Sequence, residues 1–97
     1  MGFKLSRAAE HDLIAIYVES ATRFGLAQAD AYHDGLDGVF RFLGDHPQAA
    51  RERPEISPPV RCHPHASHMI VYTIDGDGEA FILRVRHVHE DWDDDPV

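Results

Sequence analysis

The chain has one lysine, Lys4, and one cysteine, Cys62, among its 97 residues. A lone thiol excludes an internal disulfide and fits a reducing compartment. No apolar run approaches the roughly 20 residues that a membrane span requires. The opening stretch MGFKLSRAAEHDL has no apolar core of a secretory signal before its first acids. The expectation is a soluble, cytoplasmic protein without a membrane. Positive charge is scarce as well. At a formal net charge of −8, neutralising phosphates yields little, so direct DNA binding by this chain is disfavoured. There is no repeat and no glycine-rich phosphate loop. Asp75-Gly76-Asp77-Gly78 lacks the spacing of a calcium loop and reads as a hairpin turn.

What the chain does have is enough apolar side chain, 43% of its residues, for a core. A length near the usual single-core size predicts one domain over residues 1–97. Charge is uneven along it. Residues 1–50 carry four bases and seven acids, and residues 51–86 carry five arginines and five acids. The end, EDWDDDPV, has five acids and no base. It reads as an acidic tail at about residues 90–97 with Trp92 as its anchor.

Periodicity divides the rest. Phe3-Lys4-Leu5 alternates like a short strand, and Ser6 stands where a helix N-cap belongs, with Glu10 one residue too late for a capping box. Ala9, Leu13, Ile16, Tyr17, Ser20, Ala21 and Phe24 then recur at helical spacing. Gly25 is suited to end that helix. A second stripe, Ala29, Tyr32, Leu36, Val39, Phe40 and Leu43, ends at Asp45-His46-Pro47. So short a link predicts an antiparallel helical hairpin. Residues 47–59, PQAARERPEISPP, read as a connecting loop. Beyond it the period falls to two. His68, Ile70, Tyr72 and Ile74 are expected on one face, with Phe81, Leu83, Val85 and His87 together on one face of the final strand. The expected fold is α+β in the order β-α-α-β-β-β, a helical hairpin packed on a small, mainly antiparallel sheet.

Five histidines fall late in the chain: His63, His65 and His68, then His87 and His89. Strand period places His63 with His65, and His87 with His89. Two such pairs have the donors of a zinc or copper site, but no cysteine pair or carboxylate motif accompanies them. The preferred reading is scattered strand and loop histidines with no metal and no cofactor. Cys62 and His63 are strand neighbours on opposite faces, so they do not form a nucleophilic pair.

The order of elements and certain residues resemble the ParE branch of the RelE/ParE superfamily of type II toxin–antitoxin toxins. The likeness begins in LSRAAEHDLIAIYVESATRFG and passes through Ala29-x-x-Tyr32 to Pro47. Its most specific part is PPVRCHPHASHMIVYTIDGDGEAFILRVRHVHED, with Arg61, His68, Ile70-Val71-Tyr72, Ile82-Leu83-Arg84-Val85 and His87 at family positions. The resemblance implies a RelE/ParE-like fold and a small cytosolic toxin in a hetero-oligomer with a ParD-like antitoxin. It further implies that the antitoxin's own ribbon-helix-helix part binds the operon. ParE-like members block DNA gyrase by binding, whereas RelE-like members cleave mRNA on the ribosome. With one lysine and no tyrosine in WDDDPV, the gyrase-directed reading is preferred. Residues expected to meet target or antitoxin are Arg61, Arg84, Arg86, His87 and Trp92. The alternative is a ribosome-dependent endoribonuclease, with Arg51, Arg61 and Arg84 on phosphate and His87 as acid or base.

Overall fold

A computed structural model describes residues 2–88. His89, Trp92 and the acidic tail lie outside the described residues. The elements are β1 (Phe3–Leu5), α1 (Arg7–Phe24), α2 (Leu26–Asp45), β2 (Glu52–Arg53), β3 (Val60–His65), β4 (His68–Ile74) and β5 (Ala80–His87). The strands form one sheet in the order β1-β5-β4-β3-β2. β1 and β5 run parallel, and every other pairing is antiparallel. The α+β fold expected from the sequence is therefore present, with one addition. Residues 47–59 are not all loop, because Glu52 and Arg53 pair with Arg61 and Val60 as a two-residue edge strand. A strand that short has no periodicity to betray it.

The helical hairpin lies on one face of the sheet. Ala9 and Leu13 of α1 and Leu36, Phe40 and Leu43 of α2 meet Ile70, Tyr72, Ala80, Ile82 and Val85 in the main core. Leu36, Leu43, Ile70 and Ile82 are at most 1% exposed, and each such side chain contributes roughly 1.5–3 kcal/mol. The opposite face carries a smaller cluster in which Ile56, from the loop after β2, covers Val60 and Val71. The stripe on α1 loses its partner before the helix ends, and Phe24 is 67% exposed.

Tyr72, buried at the centre of β4, ties down the chain leaving α2. Its hydroxyl donates to the Pro47 carbonyl at 2.7 Å and accepts from the Ala50 N–H at 3.3 Å. Arg61, its partner across β3, donates to the Ala50 carbonyl at 2.6 Å. Burial pushes the Tyr72 phenol above its ordinary pKa, so it keeps the proton it donates.

β1 covers β5 only as far as Ile82. Past that point the first turns of α1 take over. The Ser6 N–H donates to the Ile82 carbonyl at 2.9 Å. The Ser6 hydroxyl accepts from the Ala9 N–H at 3.0 Å, as an N-cap should, and donates to the Leu83 carbonyl at 2.7 Å. Asp12 then accepts from the Val85 N–H at 3.0 Å and from Arg84 Nε and Nη2 at 2.8 and 3.0 Å.

Leu83 is also where the expected strand parity fails. Val71 pairs with Arg84 and Tyr72 with Ile82, so Leu83 is an extra residue on β5. This bulge puts Ile82 and Val85 in the same core, while Leu83 packs on the opposite face. The expectation that Phe81, Leu83, Val85 and His87 share one face is therefore wrong. Period two holds only on either side of the bulge.

Gly25 serves both helices. At φ +91° and ψ +166° it ends α1 and begins α2 with no other linking residue, in a region essentially confined to glycine. Gly35 has a different reason, since a Cβ there would stand 3.3 Å from His65 Nε2. Gly38 has none, because a Cβ added there would meet nothing within 4 Å. Gly38→Ala is expected to raise stability by about 1 kcal/mol through helix propensity. Gly25→Ala should lower it by roughly 1–3 kcal/mol. Urea unfolding of the two variants checks both signs.

Candidate functional site

The turn between β3 and β4 is two residues long, and Ala66 adopts φ +52° within it. So tight a turn sets His65 opposite His68, and the next pairing sets His68 opposite His87. Three histidines from three strands thus form one row across the sheet. The row faces the hairpin. The Tyr32 ring of α2 lies 5.5 Å from both the His65 and the His68 rings, and His68 stands 5.5 Å from His87, edge to face.

Tyr32 fixes the geometry at the middle of the row. Its oxygen is 2.6 Å from His68 Nδ1 and 3.3 Å from the His65 carbonyl. One arrangement satisfies both contacts with the single phenolic proton. His68 Nδ1–H donates to Tyr32, and Tyr32 donates to the His65 carbonyl. Burial, the main influence on it, raises the pKa of Tyr32, which keeps that proton in place.

Beside the row, between it and the far halves of the helices, is a cleft of about 260 Å³. Its floor includes Tyr32, His68 and His87, and its apolar wall includes Ile16 and Phe24. Glu19 and Arg23 stand on the same stretch of α1 and are ion-paired at 3.6 Å. A shallower, more open depression of about 500 Å³ lies at the other edge of the sheet, lined by Arg51, Arg53, Cys62 and His63 among others. There Arg53 is held by Glu55 at 2.5 Å. His63 Nδ1 is buried without a hydrogen-bond partner among the described residues.

The residues singled out from the sequence do not converge. Arg61 is fixed to the Ala50 carbonyl and Arg84 to Asp12. Arg51 lines the open depression, and His87 lines the cleft. Arg86 pairs with Met69, whose side chain joins the cluster on the face away from the helices. Trp92 lies outside the described residues. Of the first sequence-proximal histidine pair, His63 lies against Phe42, with ring centroids 6.0 Å apart, and His65 against Tyr32; the second pair includes His89, which lies outside the described residues. What the sequence did not reveal is the role of Tyr32, which reads as a core position, and of Arg23 and Phe24. The one available signal was His65-x-x-His68 spanning a two-residue turn.

The family model for the ParE toxin of the type II toxin–antitoxin system, parDE, matches residues 3–92. Toxin ParE1 from two strains of Mycobacterium tuberculosis, CDC 1551 / Oshkosh and H37Rv, is 31% identical over 91 residues, covering 94% of this chain and 93% of each relative. A chain of the chromosomal ParDE TA system from P. aeruginosa superposes with a TM-score of 0.77 at 27% identity, over 92% of this chain and 97% of that one. The chain belongs to the ParE toxin family.

One further cluster lies at the β4–β5 turn. Carboxylate oxygens of Asp75, Asp77 and Glu79 come within 4.8 Å of one another. Lys4 of β1 reaches all three, at 3.0, 3.4 and 3.4 Å. The turn itself is closed by Asp75, whose side chain accepts from the Asp77 and Glu79 N–H groups at 2.9 and 3.0 Å. The Lys4 ammonium, ahead of the turn amides, holds the Asp75 carboxyl below its ordinary pKa. A carboxyl lowered on folding contributes stability above its unfolded pKa and loses it as pH falls through the folded value. In Lys4→Met the Asp75 carboxyl is expected to titrate at a higher pH than in the wild type. The side-chain ¹³C signal of Asp75 followed from neutral to acid pH checks this, and an unmoved midpoint would contradict the assigned cause.

Proposed function

We propose that this toxin acts by binding DNA gyrase and blocking it, and that a ParD-like antitoxin neutralises it in a cytoplasmic hetero-oligomer. Family membership over residues 3–92 supports the toxin–antitoxin part. The choice of a binding mechanism over RNA cleavage rests on one observation, the separation of Arg51, Arg61, Arg84 and His87. A nuclease needs its acid, base and cations within hydrogen-bond reach of one phosphate. Arg61 is four residues along β3 from His65, which shares the row of His87 two strands away. Strand geometry makes that roughly 13 Å along the sheet and about 10 Å across it. Arg84 is already paired with Asp12. A formal charge of −8 adds repulsion toward any message.

On this reading Arg61 and Arg84 support the fold, and any part they have in recognition runs through the surfaces they hold in place. Arg86, His87 and Trp92 remain the candidates for direct contact with target or antitoxin. Purified toxin is expected to inhibit supercoiling by gyrase in a dose-dependent way, with relief on adding the antitoxin encoded beside it. Undiminished supercoiling at saturating toxin would contradict gyrase as target. New 5′ ends on translated message, lost in His87→Ala, would instead favour the endoribonuclease.

A further inference from the structure

α1 carries more apolar surface than its packing uses. Ala9, Leu13 and Ile16 turn toward the core. Ile14 and Val18 point elsewhere and are 63% and 57% exposed. Ile14, Val18, Ala21 and Gly25 follow one another at spacings of four, three and four residues. That is the spacing of a seam against which a second helix packs. By helical period this seam lies roughly half a turn around α1 from Ile16, Glu19 and Arg23, which face the cleft. Leu26, 65% exposed, stands at its end across Gly25. Exposed apolar side chains scattered singly need no explanation, whereas a line of them marks a contact surface.

The surroundings of the seam are acidic. Residues 7–45 hold three arginines and seven acids. Arg23 pairs with Glu19 at 3.6 Å and Arg41 with Asp37 at 2.9 Å, each on its own helix. Asp12 is held by Arg84. Glu10, Asp30 and Asp34 are exposed as well, with Arg7 the arginine that remains to balance them. Asp30 lies beside the seam, since it accepts from the hydroxyl of Tyr17, the neighbour of Val18, at 2.5 Å.

We propose that the outer seam of α1 docks a cationic amphipathic helix of a protein partner apart from the antitoxin. Its apolar side chains cover Ile14 and Val18, and its lysines or arginines meet Glu10, Asp30 and Asp34. Charge selects this occupant among those that would cover apolar surface. A second copy of the chain brings the same acids to the contact. An anionic membrane, or the chain's own stretch EDWDDDPV, brings still more negative charge. A basic flank is attracted by the field that repels these, and the same field steers its approach. Cleft and seam lie on opposite sides of α1, so one partner helix cannot fill both. The seam is read from α1 and its neighbours alone, and the proposal stands whether or not gyrase is the target.

An NMR titration of the full-length chain, labelled at isoleucine and valine methyls, tests this. The probe is a peptide of about three heptads with leucine at positions a and d and lysine elsewhere. It is expected to shift the Ile14 and Val18 signals, and its affinity should fall as salt is raised. The same peptide with glutamate in place of lysine should leave those signals where they are. In the Ile14→Ser, Val18→Ser double variant affinity should drop by about tenfold or more. Both side chains are exposed, so that variant should melt with the wild type. A second variant, Glu10→Lys with Asp34→Lys, should prefer the glutamate peptide. The wild-type shifts should persist when the antitoxin encoded beside the toxin is bound. Shifts confined to Ile16 in the cleft, or affinity unchanged in the double variant, overturn the seam as the site. Equal shifts from the two peptides, or an unaltered preference after charge reversal, overturn the cationic partner. Ile14 and Val18 signals that move with toxin concentration alone assign the seam to a second copy. Signals already moved by the antitoxin, and then insensitive to the peptide, assign it to the antitoxin. Either assignment overturns the proposal.

Discussion

β5 has eight residues and β1 has three to cover it, and Asp12 makes up the difference. Its carboxylate stands where a neighbouring strand's carbonyl would be, accepting the Val85 N–H, and it holds the Arg84 guanidinium through two hydrogen bonds. Ser6 closes the edge one step earlier from the donor side, its hydroxyl donating to the Leu83 carbonyl at the bulge. An edge left open there would leave partly buried backbone groups unpaired, each at a cost of about 1–3 kcal/mol. It would also offer a template for another chain's strand. Because Ser6 caps α1 and Asp12 sits on it, closing the edge also anchors the hairpin to the sheet.

The cleft depends on that anchoring. α1 supplies its apolar wall, and its floor joins Tyr32 of α2 to His68 of β4 and His87 of β5. Where Asp12 and Ser6 hold the first half of α1, the helix packs into the main core through Ala9 and Leu13. Toward its end the helix has no buried partner, and the space beneath it is the cleft. Arg84, engaged by Asp12 across an element boundary, is a structural part of the fold.

The sequence revealed the architecture through periods and punctuation. Ala9 to Leu43 carried two helical stripes, Ser6 and Gly25 marked the helix ends, and Val60 to Tyr72 alternated as a strand should. It did not reveal what depends on pairing across the sheet. Leu83 looks like any inward strand residue, and only its lack of an opposite number on β4 makes it a bulge. Glu52-Arg53 is a strand because of β3, with no pattern of its own. The histidine row exists because two register relationships coincide at His68, which no spacing within a single strand reveals. Asp12 falls outside the apolar stripe of α1, and nothing local marks a carboxylate as the partner of a strand edge 73 residues away.

The dependence of the fold on that one carboxylate is open to direct measurement. Native-state hydrogen exchange with Asp12→Ala reports the Val85 amide and the global stability together. Removal should lower stability by roughly 2–4 kcal/mol, since it takes away the acceptor that the partly buried Arg84 and the Val85 N–H share. Val85 should then exchange faster than Ile70 and Tyr72, which lie within the sheet. Unchanged stability, with Val85 protected as in the wild type, would contradict the account and assign the closing of the β5 edge to another group.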